Sequence, residues 1–316
     1  GFNREKLNRR YKDIRFNGQE TYIIEGDLFW KIDGQLYSAR EYIHSFGTKD
    51  NFDVDVNAEV IFKAAEGGRF HMSHLKGRIA LSGNKKLLTR SDVAKHHLMF
   101  VPANPGIFTA SGDPMQSFSE TEYKRSDGGV KLSLGGGAVF MNRDPEIDGN
   151  DKPLDQWETH TFVCDYLYRP DSSEEYAEEM LMMCVFWGCL MYPEINKTVI
   201  WDHFINRGYN GFLQYDVNPA TGLPLSKPGF YTTSGNSDTK DSLIRGKRSY
   251  IEYHVMRERH IRIIKQCIEL RGAEDMTNRD LFTAAAGCLK AIKSDYEEIA
   301  RGRGAKINIQ DFIDSF

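Results

Sequence analysis

The spacing of apolar residues changes along this chain, and the change predicts a protein that mixes strands and helices. In the first hundred residues, short apolar runs typical of strands follow a basic stretch compatible with a helix at 4–15. An Asp33-Gly34 pair between two such runs predicts a hairpin turn. The polar segment 49–57 is typical of a linker, and 101–106 indicates a boundary because it holds two prolines and a glycine. The predicted strands here are 21–25, 28–32, 60–62 and 78–81.

After residue 106 the pattern favours three strands joined by hairpins, then alternating helices and strands. Asp171, Ser172 and the glutamates after them predict a helix start, because such residues cap helices and favour the first turn. We therefore predict a mixed α/β sheet with helices on its faces. The predicted strands are 107–112, 130–141, 159–168, a short one ending at Glu194, and 211–215. The predicted helices are 171–188, 197–206, 239–268 with Gly246 as a candidate break, and 280–292.

Three acids stand at the ends of these elements. Asp113 closes an apolar run before a proline, Glu194 ends another after a proline, and Asp280 opens the last helix. Carboxylates on strand ends and a helix start can converge on Mg²⁺ or Mn²⁺, which prefer oxygen ligands. Two such ions about 4 Å apart can promote phosphodiester hydrolysis. Asp113 could instead be a turn residue, and Asp280 could simply stabilise the helix dipole.

Composition fits a protein that is neither membrane-spanning nor rich in disulfides. The 316 residues suit one large domain or two smaller ones, with 40% apolar residues, 27% charged residues and a net charge of −4. No apolar run reaches membrane-spanning length, and the start of the chain is too polar for a secretory signal. Because the chain begins with Gly1 rather than Met, we expect a fragment of a longer protein. The five cysteines show no CxxC pair, so we expect small buried hydrophobes.

From about residue 106 onward the chain resembles the nuclease domain of the large terminase subunit of tailed bacteriophages, which is an RNase H-like domain. Six segments carry the resemblance in the same order as in that family. They are Gly112-Asp113-Pro114; the glycine-rich hairpin 133–140; Tyr168-Arg-Pro170 followed by Glu174-Glu-Tyr-Ala; Tyr192-Pro-Glu194-Ile-Asn196; Gly229-Phe-Tyr-Thr-Thr followed by Asp238-Thr-Lys240; and Asn278-Arg-Asp280-Leu-Phe. The family often has two adjacent acids in the last motif, whereas this chain has Arg279 before Asp280. Asp238 or Asp275 is therefore an alternative third ligand.

The resemblance implies an RNase H-like nuclease domain at 106–316, preceded by an accessory segment at 1–105 with short strands that leads in from an ATPase motor. It implies an endonuclease that cuts double-stranded viral DNA during genome packaging in the host cytoplasm. Asp113, Glu194 and Asp280 would hold two Mg²⁺ or Mn²⁺ ions. The implied partners are the motor domain of the same protein, the portal and the small terminase subunit. No G-x-x-x-x-G-K-[ST] motif occurs, so we expect no ATPase activity in this chain.

Two further groups of residues are candidate contacts to DNA. Lys240 lies in a loop that borders the active site in the family, and Asp238 is an auxiliary candidate beside it. The stretch 245–265 carries seven Lys or Arg against two Glu, so Arg245, Lys247 and Arg248 are candidate phosphate contacts. The alternative is an ordinary amphipathic helix. Two other functions also fit the pattern, a non-catalytic module that docks on DNA or the portal, and an RNase H-like junction resolvase.

Overall fold

A computed structural model describes most of the chain. The described residues are 2–16, 23–47, 52–73, 86–89, 98–115, 123–124, 130–131, 134–149, 152–153, 156–218, 220–232, 237–270, 276 and 279–292. Their helices are α1 (Arg4–Phe16), α2 (Ala39–Phe46), α3 (Phe52–Asn57), α4 (Pro145–Asp148), α5 (Ser173–Trp187), α6 (Val199–Asn206), α7 (Ser237–Tyr253), α8 (Ile261–Glu269) and α9 (Asp280–Ala291). Within the same residues, no helix is both long and apolar enough to cross a bilayer.

The main sheet of the described chain has eight strands in the order β12-β7-β10-β11-β4-β1-β2, with β3 also paired to β1. The β12–β7 pair is parallel and the other pairs are antiparallel. Its strands are β1 (Ile23–Ile32), β2 (Gln35–Tyr37), β3 (Glu59–Ala64), β4 (Phe70–Ser73), β7 (Phe108–Asp113), β10 (Gly135–Met141), β11 (Thr161–Tyr168) and β12 (Leu190–Met191). Three two-stranded pairs lie outside it: β5 (Lys86–Thr89) with β6 (Leu98–Val101), β8 (Tyr123–Lys124) with β9 (Val130–Lys131), and β13 (Tyr215–Val217) with β14 (Pro224–Pro228).

Helices cover both faces of the sheet, as the predicted mixed α/β architecture requires. Successive residues of β10 enter different cores, because side chains alternate across a strand. Val139 belongs to a core that includes α2, α5 and α6, whereas Ala138 and Phe140 belong to one that includes α7, α8 and α9. All five cysteines are free and buried, which confirms their expected role as small apolar side chains.

Several local predictions are confirmed. The Asp33-Gly34 turn joins β1 to β2, and both residues have positive φ, 50° and 83°, as a two-residue hairpin turn requires. The Ser172 side chain caps α5 by accepting a hydrogen bond from the amide of Glu175 at 3.0 Å. These features depend on neighbours in sequence, so local patterns suffice to predict them.

Other local predictions are wrong. The predicted strands at 21–25 and 28–32 are one continuous strand, β1. Residues 52–57 of the predicted linker form α3, whose buried Asp55 is bound by Arg207. The predicted strand 211–215 is instead a 3-10 turn at Asn210–Phe212 followed by β13. The predicted strand at 78–81 lies outside the described residues.

The long helix predicted at 239–268 is two helices, and the break is not at Gly246. The chain leaves the helix after Tyr253 and begins α8 at Ile261. Buried Glu258 holds this break, since its carboxylate accepts hydrogen bonds from the amides of Arg259 and His260 and from the hydroxyl of Tyr250. The partners of this carboxylate are one, two and eight residues away, so the tertiary contribution is the burial of Glu258 and the hydrogen bond that Arg10 in α1 donates to its carbonyl at 2.7 Å. The continuous helical pattern could not reveal either feature.

The predicted boundary at residues 105 and 106 does not interrupt the sheet. β4, from before the boundary, pairs with β11, from after it, in the register Cys164↔Met72 to Tyr166↔Phe70. β1 then extends the sheet from β4. The division of the chain into two units stays a prediction, but strands from both sides of it share one sheet.

Candidate metal centre

Two of the three predicted acids meet where β7 ends. Asp113 is the last residue of β7. The chain after β12 continues alongside β7, with the amide of Tyr192 donating to the carbonyl of Ala110 and the amide of Glu194 donating to the carbonyl of Gly112, both at 2.8 Å. This parallel approach brings Glu194 beside the end of β7, next to Asp113.

The third acid, Asp280, reaches the end of β7 from the helical layer that includes α7, α8 and α9. α9 begins at Asp280 and packs on β10. In β10, Gly136 is paired with Asp113, and a Cβ atom added to Gly136 would lie 2.3 Å from the backbone carbonyl of Asp280. Only glycine allows this approach of helix to strand. The Asp280 carboxylate also accepts a hydrogen bond from the amide of Leu134 at 3.2 Å.

The three carboxylates raise one another's cost of ionisation. Burial raises the pKa of Asp113 well above its ordinary value, and the charges of Glu194 and Asp280 raise it further. Burial likewise raises the pKa of Glu194. The pKa of Tyr176 is raised well above its ordinary value by burial and by the charges of the same three acids. The site is therefore a pocket of negative charge that favours protons or cations.

Polar neighbours hold the Glu194 carboxylate in place. The hydroxyl of Thr232 donates to Oε1 of Glu194, and it accepts a hydrogen bond from Nδ2 of Asn196 at 2.8 Å. The Asn196 side-chain oxygen accepts from the amide of Thr232 at 3.1 Å. These contacts fix the direction in which Glu194 points. Thr283, one turn into α9, lowers the pKa of Asp113, while its hydroxyl donates to the carbonyl of Arg279 at 3.2 Å.

Lys197 is the cation whose field reaches these acids. Its charge lowers the pKa of both Asp113 and Glu194. Nζ lies 3.4 Å from the carbonyl oxygen of Met115, two residues beyond Asp113. The amine therefore lies at the edge of the acidic group and offsets part of its charge.

The donor set suits a hard divalent cation. It consists of carboxylate oxygens with no imidazole or thiolate, which is the chemistry that Mg²⁺ and Mn²⁺ prefer. Among the described residues, no three His, Cys, Asp or Glu side chains form a ready-made metal cage as they stand. Glu194 and Asp280 each direct one oxygen at a protein donor. Rotation of these side chains would free the oxygens for a cation.

The predicted auxiliary residues have a weaker connection to this site. Lys240 lies in the first turn of α7, partly exposed, and makes no ion pair or hydrogen bond with another described residue. Asp238 is in the same turn, but its side chain is outside the described part of the structure, and so is Asp275. Neither alternative third ligand is tested by these contacts.

One of the three predicted DNA contacts is wrong. Arg245 and Arg248 lie on the exposed face of α7, but Lys247 is completely buried. Its Nζ lies over the ring of Phe162, 4.3 Å from the centroid, and burial lowers the pKa of its amine. A basic residue between two exposed arginines points inward because successive helix positions are about 100° apart.

Lys197, Thr232, Thr283 and Tyr176 are residues of this site that the sequence did not single out. One of them, Thr232, had a signal in the sequence. Asn196 follows Glu194 at a fixed spacing and Thr232 lies in a glycine- and threonine-rich loop, and these segments turn out to be hydrogen-bonded together. Lys197 and Thr283 had none, because each reads as an ordinary helix-start or helix-interior residue.

No protein-family model matches this chain, and no curated protein or solved structure matches it either.

Proposed function

We propose that this chain is a metal-dependent endonuclease of the RNase H-like type that cuts double-stranded DNA, and that it is the nuclease part of a viral DNA-packaging terminase. One observation carries the proposal. Burial raises the pKa of Asp113, and the charges of Glu194 and Asp280, which are far from it in sequence, raise it further at one end of the sheet. A protein does not gain stability from such repulsion, so an external cation is the simplest reason for the arrangement.

The strand order supports the RNase H-like part of the proposal. β7, β10 and β11 are three successive antiparallel neighbours, and β12 then pairs with β7 in parallel after the helix α5. Leu213, after α6, makes a parallel bridge to Met191 in β12. This order agrees with the predicted three hairpin-connected strands followed by helix, strand and helix, and a single bridge at Leu213 stands in place of the last predicted strand.

Each residue of the candidate site would have its own role in DNA cleavage. Asp113, Glu194 and Asp280 would hold two Mg²⁺ or Mn²⁺ ions. Bound divalent cations supply a lowered pKa for water and stabilise the charge on a leaving 3′ oxygen. Thr232 and Asn196 orient the Glu194 carboxylate. Lys197 supplies a fixed positive charge beside the acids, where it would attract a phosphate oxygen.

The test is cleavage of supercoiled plasmid by this chain in Mg²⁺, Mn²⁺ or EDTA. We expect metal-dependent nicking and linearisation, and a loss of at least about a thousandfold in Asp113→Asn, equivalent to roughly 4 kcal/mol of transition-state stabilisation. Asp241→Asn is a matched control, since Asp241 is an exposed acid on α7 without an ion pair to a described residue. Retained cutting in Asp113→Asn would rule out the assignment.

Two other outcomes would redirect the proposal. The described side chains contain no preformed group of three metal ligands. The second candidate function is therefore a non-catalytic module that docks on DNA or the portal. Absence of cleavage in every metal would favour that module. Selective cutting of four-way junctions over linear duplex would favour a junction resolvase. If the chain is the terminase nuclease, the motor domain, the portal and the small subunit would hold the DNA and determine when it is cut.

A further inference from the structure

A groove of about 460 Å³ lies between the start of α1 and the exposed face of α7. Phe2 and Asn3 form one wall, and the other is a stripe of α7 residues. The stripe consists of Arg245, Arg248, Ser249, Glu252 and Tyr253. Positions 245, 248 and 252 repeat at helical spacing, so their side chains lie along one face of the helix.

The groove carries positive charge that no described residue neutralises. Arg245 and Arg248 are exposed, and neither guanidinium makes a hydrogen bond or ion pair with another described residue. Glu252, the one carboxylate among the described residues that line the groove, is already matched, because Lys6 Nζ lies 2.7 Å from it and Asn3 donates to it at 3.0 Å. Two guanidiniums without a partner in the described part of the chain therefore face solvent here, although the whole chain has a net charge of −4.

The groove adjoins the helix that carries the third acid. The ring of Phe2, which lines the groove, is 5.9 Å from the ring of Phe282. Phe282 lies in the first turn of α9, which begins at Asp280. A polymer that passes the acidic site therefore has a short route to Arg245 and Arg248.

We infer that this groove binds the sugar–phosphate backbone of the DNA substrate beside the cleaved position. The inference rests on the proposed nuclease function for the identity of the polymer. Duplex DNA carries one negative charge per roughly 1.7 Å of axis, and arginine side chains are the usual contacts to its phosphates. Arg245 and Arg248 are about 4.5 Å apart along the helix axis, so their long side chains can reach neighbouring phosphates on one strand.

The experiment measures binding without cleavage. The full chain carrying Asp113→Asn, in Mg²⁺, is titrated against a fluorescent duplex of about 30 base pairs, and anisotropy is followed from about 50 to about 200 mM salt. Adding R245A and R248A should weaken binding by about tenfold or more at 100 mM salt. The slope of log K against log salt should fall by about 1 to 2, because about 0.9 counterions are released per phosphate contact.

The matched control adds R40A and K63A, which remove the same charge from exposed positions in α2 and β3. The sheet order places these elements away from α7, so this pair should bind within twofold of the parent. Thermal melts should change little in both pairs, because Arg245 and Arg248 have no hydrogen bond or ion pair with another described residue and the Arg40–Asp171 pair is exposed. Equal weakening in the two pairs, no weakening in either, or no duplex binding by the parent would each overturn the inference.

Two further results separate this inference from the proposed function. If wild type cleaves no DNA but only R245A/R248A loses duplex binding, the groove is a DNA site and the nuclease proposal fails. If wild type cleaves and R245A/R248A binds as tightly as the parent, the nuclease stands and the groove inference fails. Displacement of the duplex by millimolar AMP would assign a mononucleotide pocket instead and would overturn the backbone assignment.

Discussion

Two of the carboxylate groups in the described part of this fold differ in the charges that surround them. In the first group, Arg207 lies between Asp55 and Glu178, 2.7 Å from one carboxylate and 3.0 Å from the other, and His203 binds Glu178 at 2.6 Å. In the second group, the charges of Glu194 and Asp280 raise the pKa of Asp113, and Lys197 lies at the edge of the group. Arg207 thus contacts both carboxylates of the first group, whereas like charges meet in the second.

The pKa values of the carboxylates reflect this difference in surroundings. Burial alone would raise the pKa of Glu178, but Arg207 and His203 lower it to about 2. Burial raises the pKa of Asp113 well above its ordinary value, and its acidic neighbours raise it further. The carboxylates bound by Arg207 link α3, α5 and α6 into one structure, whereas Asp113, whose pKa is raised, costs stability when it is ionised. This difference distinguishes a structural ion network from a candidate site for an external cation.

Breaking the group bound by Arg207 should have the largest effect on stability. Arg207→Ala leaves Asp55 and Glu178 buried without their cation, so we expect a loss of about 3–5 kcal/mol in the free energy of unfolding. Urea unfolding followed by circular dichroism measures it. Arg40→Ala is the control, because its partner Asp171 is exposed and the pair should contribute less than about 1 kcal/mol. A similar small loss in Arg207→Ala would show that the buried network is not structural.

Removing the hydrogen bond that holds Glu194 in the candidate site should have a smaller effect, and this effect should be on activity. Thr232→Val removes the hydroxyl that donates to Glu194, so we expect a decrease of about 10–100-fold in the rate of plasmid cleavage. The Mn²⁺ concentration for half-maximal cleavage should rise as well. Thr232→Ser should restore both, because it keeps the hydroxyl. A lower melting temperature with an unchanged metal dependence would instead indicate a purely structural threonine.

The smallest expected effect is a gain of stability in the absence of metal. Because the pKa of Asp113 is raised in the fold, the folded protein keeps a proton that the unfolded chain has released above about pH 4. Metal-free stability should therefore fall as pH rises from that value through the raised pKa. Asp113→Asn should remove this decline and stabilise the protein in EDTA by on the order of 1 kcal/mol or more at neutral pH.

Glu178 should show the opposite dependence, which makes it the internal reference for that measurement. Its pKa is lowered to about 2, so its contribution to stability is present above its ordinary value of about 4.3 and is lost as pH falls toward 2. Urea melts of wild type and Asp113→Asn in EDTA across this range would separate the two trends. Equal stability of the two proteins at neutral pH would mean that the acids of the candidate site do not repel one another.

Local sequence was sufficient for the elements that carry the candidate site. β7, β11, α5 and α9 lie where the apolar pattern predicted them, since strand alternation, capping and helical spacing are properties of neighbouring residues. β10 is the second part of the strand predicted at 130–141, whose first part, Val130–Lys131, is β9 in a separate pair. The same patterns missed α2, α3, β4 and the break before α8. Asp55 in α3 is bound by Arg207 from a distant part of the chain, and at the break Arg10 of α1 donates to the carbonyl of buried Glu258.

The amino-acid sequence alone was sufficient for the mixed α/β class, for β7, β11, α5 and α9, and for three acids at element ends, but not for α2 or the inner strand β4. Packing in three dimensions was needed to establish that Gly136 lets α9 approach β10 so that Asp280 joins Asp113 and Glu194, that Thr232 and Lys197 belong beside them, and that Lys247 faces the core while Arg245 and Arg248 face solvent. The physical reason is that burial and electrostatic coupling depend on distances in space, which residues far apart in sequence acquire only when the sheet and its helices have packed.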